Sequence, residues 1–395
     1  MNKYLCRIVQ GVMKLSMYCL PWTMPEVKDG AGSSKALAQE IRRQGINCVL
    51  VVMGGNMMKR GLPLTMLRNI ETEGIRYRVF DNLTADPTDK NVEAAVKAYY
   101  DVGAKGIVLF GGGSPMDCGK AVAARIARPH KSIDKLQGVL KVRHRKQIPY
   151  IWAIPTTSGT GSETTMAAVI TDYKTNRKKS INDISIIPHA CILDPELTLG
   201  LPQKITADTG MDALCHAVEC YTNGTYNTKV ENDMAQKAVR LIYQWLYAAY
   251  EDGGNIEARE NMQKAAFYAG RAFTRGCVGY VHAIGHAIGG LYHVPHGRAM
   301  AVILPHVMRC YGSAAEKRLS ELGAVCGIAG GGKGFIRWIV ELNESMGIPH
   351  GFDCIKKEDA PKIALWAEKE ANPLYPVPKV FSAKELEELI LTISR

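Results

Sequence analysis

The chain has 395 residues, of which 47% are hydrophobic and 22% are charged, and its formal net charge is +11. This length allows two domains with a full core each, and the composition is ordinary for a soluble globular enzyme. The eleven cysteines include no C-x-x-C pair. That argues against a disulfide framework or a zinc ribbon and indicates a reducing cytoplasm.

The positive charge permits an anionic partner, but a nucleic-acid binder should also concentrate its basic residues. The densest basic run, residues 141–146, contains no aromatic residue for base stacking. We interpret it as a solvated loop and expect no nucleic-acid partner. Attraction of phosphorylated cofactors accounts for the sign of the charge.

Residues 1–22 are apolar and include Lys3 and Arg7. Lys14 interrupts the apolar part and no small-residue cleavage site follows, so we expect no signal peptide. No segment reaches transmembrane length, so no integral membrane protein is expected. A helical stripe predicts a helix docked on the body or on a second subunit, with peripheral membrane attachment as the less favoured alternative; the stripe is Leu5, Ile8, Val9 and Val12.

The first half of the chain alternates short β-branched runs with helical patterns. This alternation predicts a parallel α/β sheet, whose ligands bind at the carboxyl ends of the strands. We expect strands over 48–53, 77–80, 106–110 and 150–154, and a helix over 91–102.

After Pro202, long helical patterns replace the strand signals, at 211–221, 230–250, 256–273, 315–328 and 334–346. We therefore expect one domain over 1–200, with a helical extension at 1–22, and a second over 201–395. A cleft between the two would bring their ligand-binding residues together.

A glycine-rich loop, residues 111–114, follows one predicted strand and opens a helix. Backbone N–H groups at such a junction, with the helix dipole, favour a phosphate. The loop is not G-x-G-x-x-G. It also misses the Walker pattern, because five residues separate Gly113 from Gly119 and Ala121 replaces Ser or Thr. A pyrophosphate cradle and a plain tight turn both stay open.

The segment PTTSGTGSE, residues 155–163, follows another predicted strand. Its hydroxyls and small residues let a ligand approach the backbone closely. An unbroken run of Ser, Thr and Gly directly after a buried strand favours a ligand-binding loop over a flexible polar loop.

Four of the ten histidines lie within residues 279–297. His282 and His286 are four apart and project from one face if the segment is helical. Pro295 and Gly297 place His296 at a helix end or in a turn. Histidines in this arrangement suit a metal site.

Asp212 and His216 are also four apart, on a run with good helix propensity. The pattern D-x-x-x-H is weak alone, but a carboxylate and an imidazole on one face complete a histidine-rich metal shell. Together the two stretches predict a divided metal site.

The segments GGGSPMD, PTTSGTGSE, ILDPELT, TGMDALCHAVE and HAIGHAIGGLYHVPHG resemble, in order and spacing, the iron-dependent (group III) alcohol dehydrogenase family. The resemblance runs from about residue 25 to the C-terminus and points to an NADP-preferring, butanol dehydrogenase or aldehyde reductase-like member. It implies a dehydroquinate synthase-like fold, with an α/β N-terminal dinucleotide-binding domain and an all-α C-terminal metal-binding domain. It also implies a homodimer or larger homo-oligomer.

The same resemblance implies reversible hydride transfer between NADP(H) and a primary alcohol or aldehyde, with Fe2+, or alternatively Zn2+, acting on the substrate oxygen. His286 would lie beside the nicotinamide and pass protons. The implied metal ligands are Asp212, His216, His282 and His296. The implied cofactor-binding residues are Gly54, Gly55, Asn56, Asp86, Gly112, Gly113, Ser114, Asp117, Thr156, Thr157, Thr160 and Lys178.

Four positions depart from the family pattern, leave an assignment open or decide between cofactors. His293 stands where histidine is unusual, so it would compete for metal or line the substrate pocket. Asp86 stands where Asn is common near the adenosine ribose, and Lys179 makes the assignment of Lys178 less definite. At Gly54, NAD-preferring relatives typically carry an Asp that binds the ribose hydroxyls. Its absence favours NADP(H), unless the glycines form only a tight turn and the acid comes from elsewhere.

Three other functions stay open. A zinc polyol (glycerol-type) dehydrogenase or a dehydroquinate synthase-type lyase would share the fold. A non-catalytic nucleotide-binding protein would use the GGGS loop alone.

Overall fold

The computed structural model describes residues 3–83, 86–175 and 178–394. The chain forms two compact units. One comprises Pro21–Gly200, and the other comprises Leu201–Arg395 together with Met1–Leu20.

The α/β unit contains nine strands and five helices within its described residues. The strands are β1 (Glu26–Asp29), β2 (Cys48–Met53), β3 (Arg76–Phe80), β4 (Gly106–Gly111), β5 (Gly138–Val139), β6 (Tyr150–Pro155), β7 (Ala167–Thr171), β8 (Lys178–Asn182) and β9 (Ala190–Leu193). Its helices are α2 (Leu37–Arg43), α3 (Leu64–Thr72), α4 (Asp89–Val102), α5 (Gly113–Ala127) and α6 (Ile133–Leu136), while α1 (Lys3–Cys19) belongs to the other unit.

Six strands form a sheet in the order β1-β9-β6-β4-β2-β3, and every pairing in it is parallel. The strands β2 and β4 are buried along their whole length. Alternate residues of β2 enter two separate cores, Leu50 on one face and Val51 on the other. Continuous apolar runs are expected where both faces of a parallel sheet are covered, which confirms the predicted parallel α/β architecture. Three shorter strands form a second sheet in the order β5-β8-β7.

The helical unit contains, besides α1, nine helices within its described residues. They are α7 (Gln203–Asn223), α8 (Lys229–Glu251), α9 (Ile256–Gly276), α10 (Tyr280–Tyr292), α11 (His296–Tyr311), α12 (Ser313–Val325), α13 (Gly331–Ser345), α14 (Ala360–Ala371) and α15 (Ala383–Ile393). The helix α7 is buried over nearly all of its length from Thr206 to Asn223. Gly210 lets it approach α8, because a Cβ there would lie 2.2 Å from Leu246.

The N-terminal helix α1 differs from the sequence-based assignment, which grouped residues 1–22 with the α/β domain. It belongs to the helical unit instead, although residues 1 and 2 lie outside the described part. Arg7 donates to the carbonyl oxygens of Val377 and Pro378 at 2.8 Å each, and Gln10 donates to that of Tyr375 at 2.8 Å. These bonds to main-chain oxygens tie α1 to the chain that follows α14.

None of the helices in the described ranges is both long enough and apolar enough to cross a bilayer. In the same ranges every cysteine is a free thiol.

Candidate functional site

One carboxylate oxygen in the helical unit is surrounded by three imidazole nitrogens. From Asp212 Oδ1, the distance to His296 Nε2 is 3.3 Å, to His282 Nε2 3.8 Å and to His216 Nε2 3.9 Å. Asp212, His282 and His296 each offer one possible metal-ligand atom, and these three atoms all lie within 4.8 Å of one another. His216 lies against this group, with its ring stacked on that of His282 at a centroid distance of 4.6 Å.

Three helices supply these side chains. Asp212 and His216 lie one turn apart on α7, and His282 lies in the first turn of α10. His296 is the first residue of α11, directly after Pro295, as the sequence predicted for a helix end. Gly297 allows α11 to begin so close to α7, because a Cβ at this position would lie 2.2 Å from the carbonyl oxygen of Asp208.

An ion pair fixes the same approach of α11 to α7. Arg298 Nε donates to Asp208 Oδ1 at 2.6 Å, and both side chains are largely buried. The position of His296 is thus fixed by its two neighbours in the chain: Pro295, which precedes the helix, and Gly297, which contacts the backbone of Asp208.

The donor set fits a divalent metal ion. Asp212 Oδ1 and His282 Nε2 are buried, and neither has a hydrogen-bond partner among the described residues. Buried polar atoms without a partner are costly, and a metal ion would satisfy both. Four ligands at about 2.1 Å in a tetrahedron would be about 3.4 Å apart, close to the observed separations.

The electrostatics prepare these groups to bind a cation. Burial alone would favour protonated Asp212, but the neighbouring imidazoles of His216 and His296 outweigh it and hold the pKa of this carboxyl well below its usual range. Burial lowers the pKa of His216 to about 3 and lowers the pKa of His282 well below its ordinary value. Neutral imidazoles beside an ionised carboxylate are the protonation states that metal binding requires.

Glu219 is a site residue that the sequence analysis did not identify. Its Oε2 lies 2.5 Å from His282 Nδ1, and its Oε1 accepts a 2.7 Å hydrogen bond from the N–H of Val281. Donation from Nδ1 leaves the lone pair of His282 on Nε2, the atom that faces Asp212. Burial raises the pKa of Glu219 to about 7. The signal was its place seven residues after Asp212, on the same face of α7.

His286 lies one turn after His282 and is half-buried. Its Nδ1 is 2.7 Å from Glu370 Oε1, which also accepts a 3.0 Å hydrogen bond from the hydroxyl of Tyr375. The ring of His286 stacks on that of His296 at a centroid distance of 5.2 Å. His286 is not part of the group formed by Asp212, His282 and His296 in the described chain.

His293 lies at the end of α10, where it adopts a left-handed conformation with φ of 55°. Its side chain is exposed, and it is outside the three-residue group that Asp212 anchors. The structure gives it the role of a helix C-cap.

In the α/β unit, two of the predicted cofactor loops are in contact. Gly112 and Gly113 begin α5, with no side-chain cap on its N-terminus. A Cβ on Gly112 would lie 3.2 Å from Thr157 Oγ1, and one on Gly113 would lie 3.2 Å from Thr160 Cγ2. Thr156 donates its backbone N–H to the Gly111 carbonyl at 3.0 Å. Glycines here let the two loops approach closely and leave the N-terminal N–H groups of α5 without a side-chain cap, an arrangement that suits phosphate binding.

Two further side chains of α5, Asp117 and Lys120, bind groups between Ser162 and Val169. Asp117 accepts hydrogen bonds from Ser162 Oγ at 2.9 Å and from the Val169 N–H at 3.0 Å. Lys120 is fully buried and donates to both oxygens of Thr165, at 2.9 and 3.1 Å, and to the Ala167 carbonyl at 2.8 Å. Asp117 was predicted to contact the cofactor, whereas both of its carboxylate oxygens bind protein groups.

Two predicted ribose-binding residues pair with each other. Lys178 Nζ lies 2.7 Å from Asp86 Oδ1, and both side chains are exposed. The remaining predicted residue in the first turn of α5, Ser114, is half-buried.

The strand β2 is followed by Gly54, Gly55 and Asn56. Because β2 and β4 are parallel neighbours, these residues lie at the same end of the sheet as the loop that follows β4. The N–H of Met57 donates to the Gly54 carbonyl at 2.9 Å, so this segment is a tight turn. A Cβ on Gly54 would meet Met57 only at 3.9 Å. A Cβ on Gly55 would lie 3.0 Å from the carbonyl oxygen of Asp81, so a side chain would be crowded at Gly55 but accommodated at Gly54.

Comparison with known proteins covers both units. Residues 25–195 match the model of the iron-containing alcohol dehydrogenases, and residues 206–393 match the C-terminal domain of the Fe-containing alcohol dehydrogenase family. The chain is 33% identical over 334 residues to the NADPH-dependent butanol dehydrogenase of Clostridium saccharobutylicum, covering 83% of this chain and 84% of that one. It is 37% identical over 346 residues to the 1,3-propanediol dehydrogenase of Citrobacter freundii, covering 85% and 88%.

Solved structures give the same result. A 1,3-propanediol oxidoreductase superposes with a TM-score of 0.89 at 33% identity, covering 94% of this chain and 99% of that one. An alcohol dehydrogenase from Oenococcus oeni superposes with a TM-score of 0.89 at 29% identity, covering 94% and 99%. The two family models together extend over both units and include the glycine-rich and histidine-rich segments. The chain therefore belongs to the iron-containing alcohol dehydrogenase family.

Proposed function

We propose that this protein is a metal-dependent alcohol dehydrogenase and aldehyde reductase that transfers hydride reversibly between NADP(H) and a primary alcohol or aldehyde. The observation that carries the proposal is the buried carboxylate of Asp212 with three imidazole nitrogens within 3.9 Å. Family membership supports the chemistry, and the relatives named for butanol and 1,3-propanediol support a primary alcohol.

In this proposal Asp212, His216, His282 and His296 hold the metal. A divalent ion bound there supplies Lewis acidity toward the oxygen of the substrate. Glu219 keeps the His282 tautomer that presents Nε2 to the site, a role supported by the 2.5 Å contact at Nδ1. Arg298 and Gly297 hold the start of α11 so that His296 faces Asp212.

His286 is the proposed proton-transfer residue. Its contact with Glu370 orients the ring and stabilises a positive charge on it, and its half-exposed position gives the proton a path to water. Tyr375 fixes Glu370 through the second hydrogen bond.

In the α/β unit, Gly112, Gly113, Ser114, Thr156, Thr157 and Thr160 are the proposed pyrophosphate-binding residues, through N–H groups and hydroxyls. Asp86 and Lys178 are proposed to bind the adenosine ribose, which would require their ion pair to open or to turn toward the sugar. Asp117 is proposed to act by joining the two loops, and not by touching the cofactor.

We propose Fe2+ as the metal, with Zn2+ as the alternative. Family membership favours iron, whereas imidazole and carboxylate ligands bind zinc more tightly than Fe2+. Exposure of iron-loaded enzyme to air or peroxide should inactivate it, with partial recovery on adding Fe2+ and a thiol. Full activity in air with one zinc per chain would overturn the iron proposal and leave the site intact.

The choice of NADP(H) over NAD(H) rests on the turn after β2. No carboxylate is present at Gly54, Gly55 or Asn56 to repel a 2′-phosphate. Lys59 and Arg60 are exposed in the same turn, although Arg60 also donates to the Gly200 carbonyl at 2.8 Å. Asp81, after the neighbouring strand β3, is the acid that would oppose this preference.

The decisive experiment is an aldehyde panel with NADPH and NADH on anaerobically purified, iron-loaded protein. Butanal, glycerol and a sugar phosphate separate the proposed activity from a polyol dehydrogenase and from a lyase. Absence of turnover with every aldehyde, together with substoichiometric metal, would leave a nucleotide-binding protein.

Free thiols throughout the described chain support a reducing compartment, and we propose the cytoplasm. Assembly into a homodimer or larger homo-oligomer stays a prediction.

A further inference from the structure

We propose that α1 is a peripheral membrane anchor, whose outward face lies in the surface of a bilayer that contains anionic lipids. The helix precedes the residues that the family models match, which begin at residue 25. Its function is therefore separable from the proposed chemistry.

The inner face of α1 is firmly attached. Cys6, Gln10 and Met17 are buried against the helical unit. Arg7 and Gln10 add three hydrogen bonds to main-chain oxygens. The helix is therefore fixed with a defined face pointing outward.

The outward face is apolar along its whole length. Tyr4 is 82% exposed, Leu15 70%, and Ile8 and Val12 64% each. At 3.6 residues per turn these four positions fall within about 80° of one another, opposite the buried residues. Large apolar side chains at this exposure in one continuous stripe mark a binding surface and not an ordinary solvated helix face.

The charges of the helix favour an anionic surface as the occupant. The helix Lys3–Cys19 contains three basic residues and no acidic one. Lys3, Arg7 and Lys14 fall within about 40° of one another, between the buried face and the apolar stripe. Lys3 also pairs with Glu385 at 3.2 Å and Arg7 also donates to the Val377 and Pro378 carbonyls, so Lys14 contributes most to this flank. A basic flank beside an apolar face is the pattern of helices that lie in the plane of an interface.

Two further features favour lipid over a second copy of the chain. Tyr4 lies at the start of the outward face, and Tyr18, also exposed, lies beside this face at the other end of the helix, where its ring contacts the Arg275 guanidinium at 4.8 Å. Tyrosine rings prefer the headgroup region. Pairing of two copies through this stripe would also bring two basic flanks together on chains that each carry a formal charge of +11.

The test is cosedimentation of the full-length protein with vesicles of phosphatidylserine and phosphatidylcholine, and with vesicles of phosphatidylcholine alone. We expect binding to the mixed vesicles, weaker binding at high salt and little binding to the neutral vesicles. The double variant Ile8→Asp/Leu15→Asp should reduce the bound fraction about tenfold or more. Lys14→Glu, which leaves the apolar stripe intact, should also reduce it.

The matched control is Ile256→Asp, which places the same charge on another exposed isoleucine of the helical unit, 39% exposed. It should bind vesicles like the wild type. All variants should keep the circular dichroism spectrum, the metal content and the aldehyde reductase activity of the wild type. Loss of vesicle binding with activity unchanged keeps this proposal distinct from the catalytic one.

Equal sedimentation of wild type and double variant would overturn the proposal. The proposal would also be overturned if the wild type bound neither kind of vesicle but formed an oligomer that the double variant could not form. The stripe would then be a contact between copies of the chain.

Discussion

His282 Nδ1 and Glu219 Oε2 lie 2.5 Å apart in a fully buried contact, while His282 Nε2 faces Asp212. The two ring nitrogens thus have different partners. A carboxylate on one side of the ring makes the other side a better metal ligand, because it fixes the tautomer and raises the basicity of the free nitrogen.

We therefore expect Glu219→Gln to lower metal affinity about 10- to 100-fold, since an amide can donate to Nδ1 and select the wrong tautomer. Chelator competition measures this directly, without an activity assay. The matched control is Glu344→Gln, which removes the carboxylate of an exposed pair with His350 at 3.0 Å and should leave metal affinity unchanged. Equal affinities of the wild type and Glu219→Gln would show that this contact does not tune the site.

Substitution of the proposed ligands should separate binding from proton transfer. His282→Ala or His296→Ala should abolish both metal retention and activity, because each removes a ligand that faces Asp212. His286→Ala should keep the metal and slow turnover about 100-fold or more, since it removes a general acid and base. Metal analysis beside steady-state kinetics distinguishes the two classes. Loss of metal in His286→Ala as complete as in His282→Ala would reverse the assignment.

Gly54→Asp should shift the cofactor preference toward NAD(H). The turn accommodates a side chain here, since its Cβ would be 3.9 Å from Met57, and the new carboxylate would repel a 2′-phosphate. We expect a higher KM for NADPH and an unchanged melting temperature. Asp81→Asn is the companion variant, because it removes the other acid at this edge of the sheet. Gly54 does not decide the preference if the wild type uses NADH at least as well as NADPH, and if only Asp81→Asn changes the ratio of the two efficiencies.

Lys120→Met should destabilise the α/β unit by about 3 kcal/mol, because it leaves the oxygens of Thr165 and Ala167 without their buried donor. The KM for the cofactor should rise, since Thr165, which loses its contact with Lys120, donates in turn to the carbonyl of Ser162 in the predicted cofactor loop. Lys97→Met removes an exposed ion pair with Asp101 and should change stability by less than about 0.5 kcal/mol. Chemical unfolding of both variants measures the difference.

The same residue gives a pH dependence. Burial lowers the pKa of Lys120 from 10.5 to about 8. The folded chain therefore releases this proton at a lower pH than the unfolded chain does. Stability of the wild type relative to Lys120→Met should rise between these two pH values. A constant difference across this range would mean that Lys120 keeps its ordinary pKa in the folded state.

Much of the architecture was predictable because its signals are local. The apolar runs of β2 and β4 need no partner to be recognised, and the i, i+4 spacing of Asp212 and His216 follows from helix geometry. The strand β1 was missed because EVKD is a polar and mostly exposed edge strand. The strand β8 was missed for the same reason, since KKSIN is polar and pairs mainly with another short strand.

Other features depend on contacts between distant parts of the chain. The helix α7 begins at Gln203, well before the predicted start at 211. Gly210 disfavours a helix by propensity but lies inside this one, where close packing against Leu246 leaves no room for a Cβ. Glu370 reaches His286 from α14, which no spacing in the sequence indicated. Asp117 occupies a motif position that suggested a ligand, but its hydrogen bonds to Ser162 and Val169 appear only in the folded chain.

The candidate metal ligands come from three helices, and Gly297 allows the last of these to begin against the first. An unfolded chain cannot assemble such a set, so any ion that binds there binds the folded helical unit in preference to the unfolded one. The free energy of binding is then added to the free energy of folding. Metal supply in the cell would in this way set the lifetime of the protein as well as its catalytic competence, and a chelator would act on this unit as a denaturant.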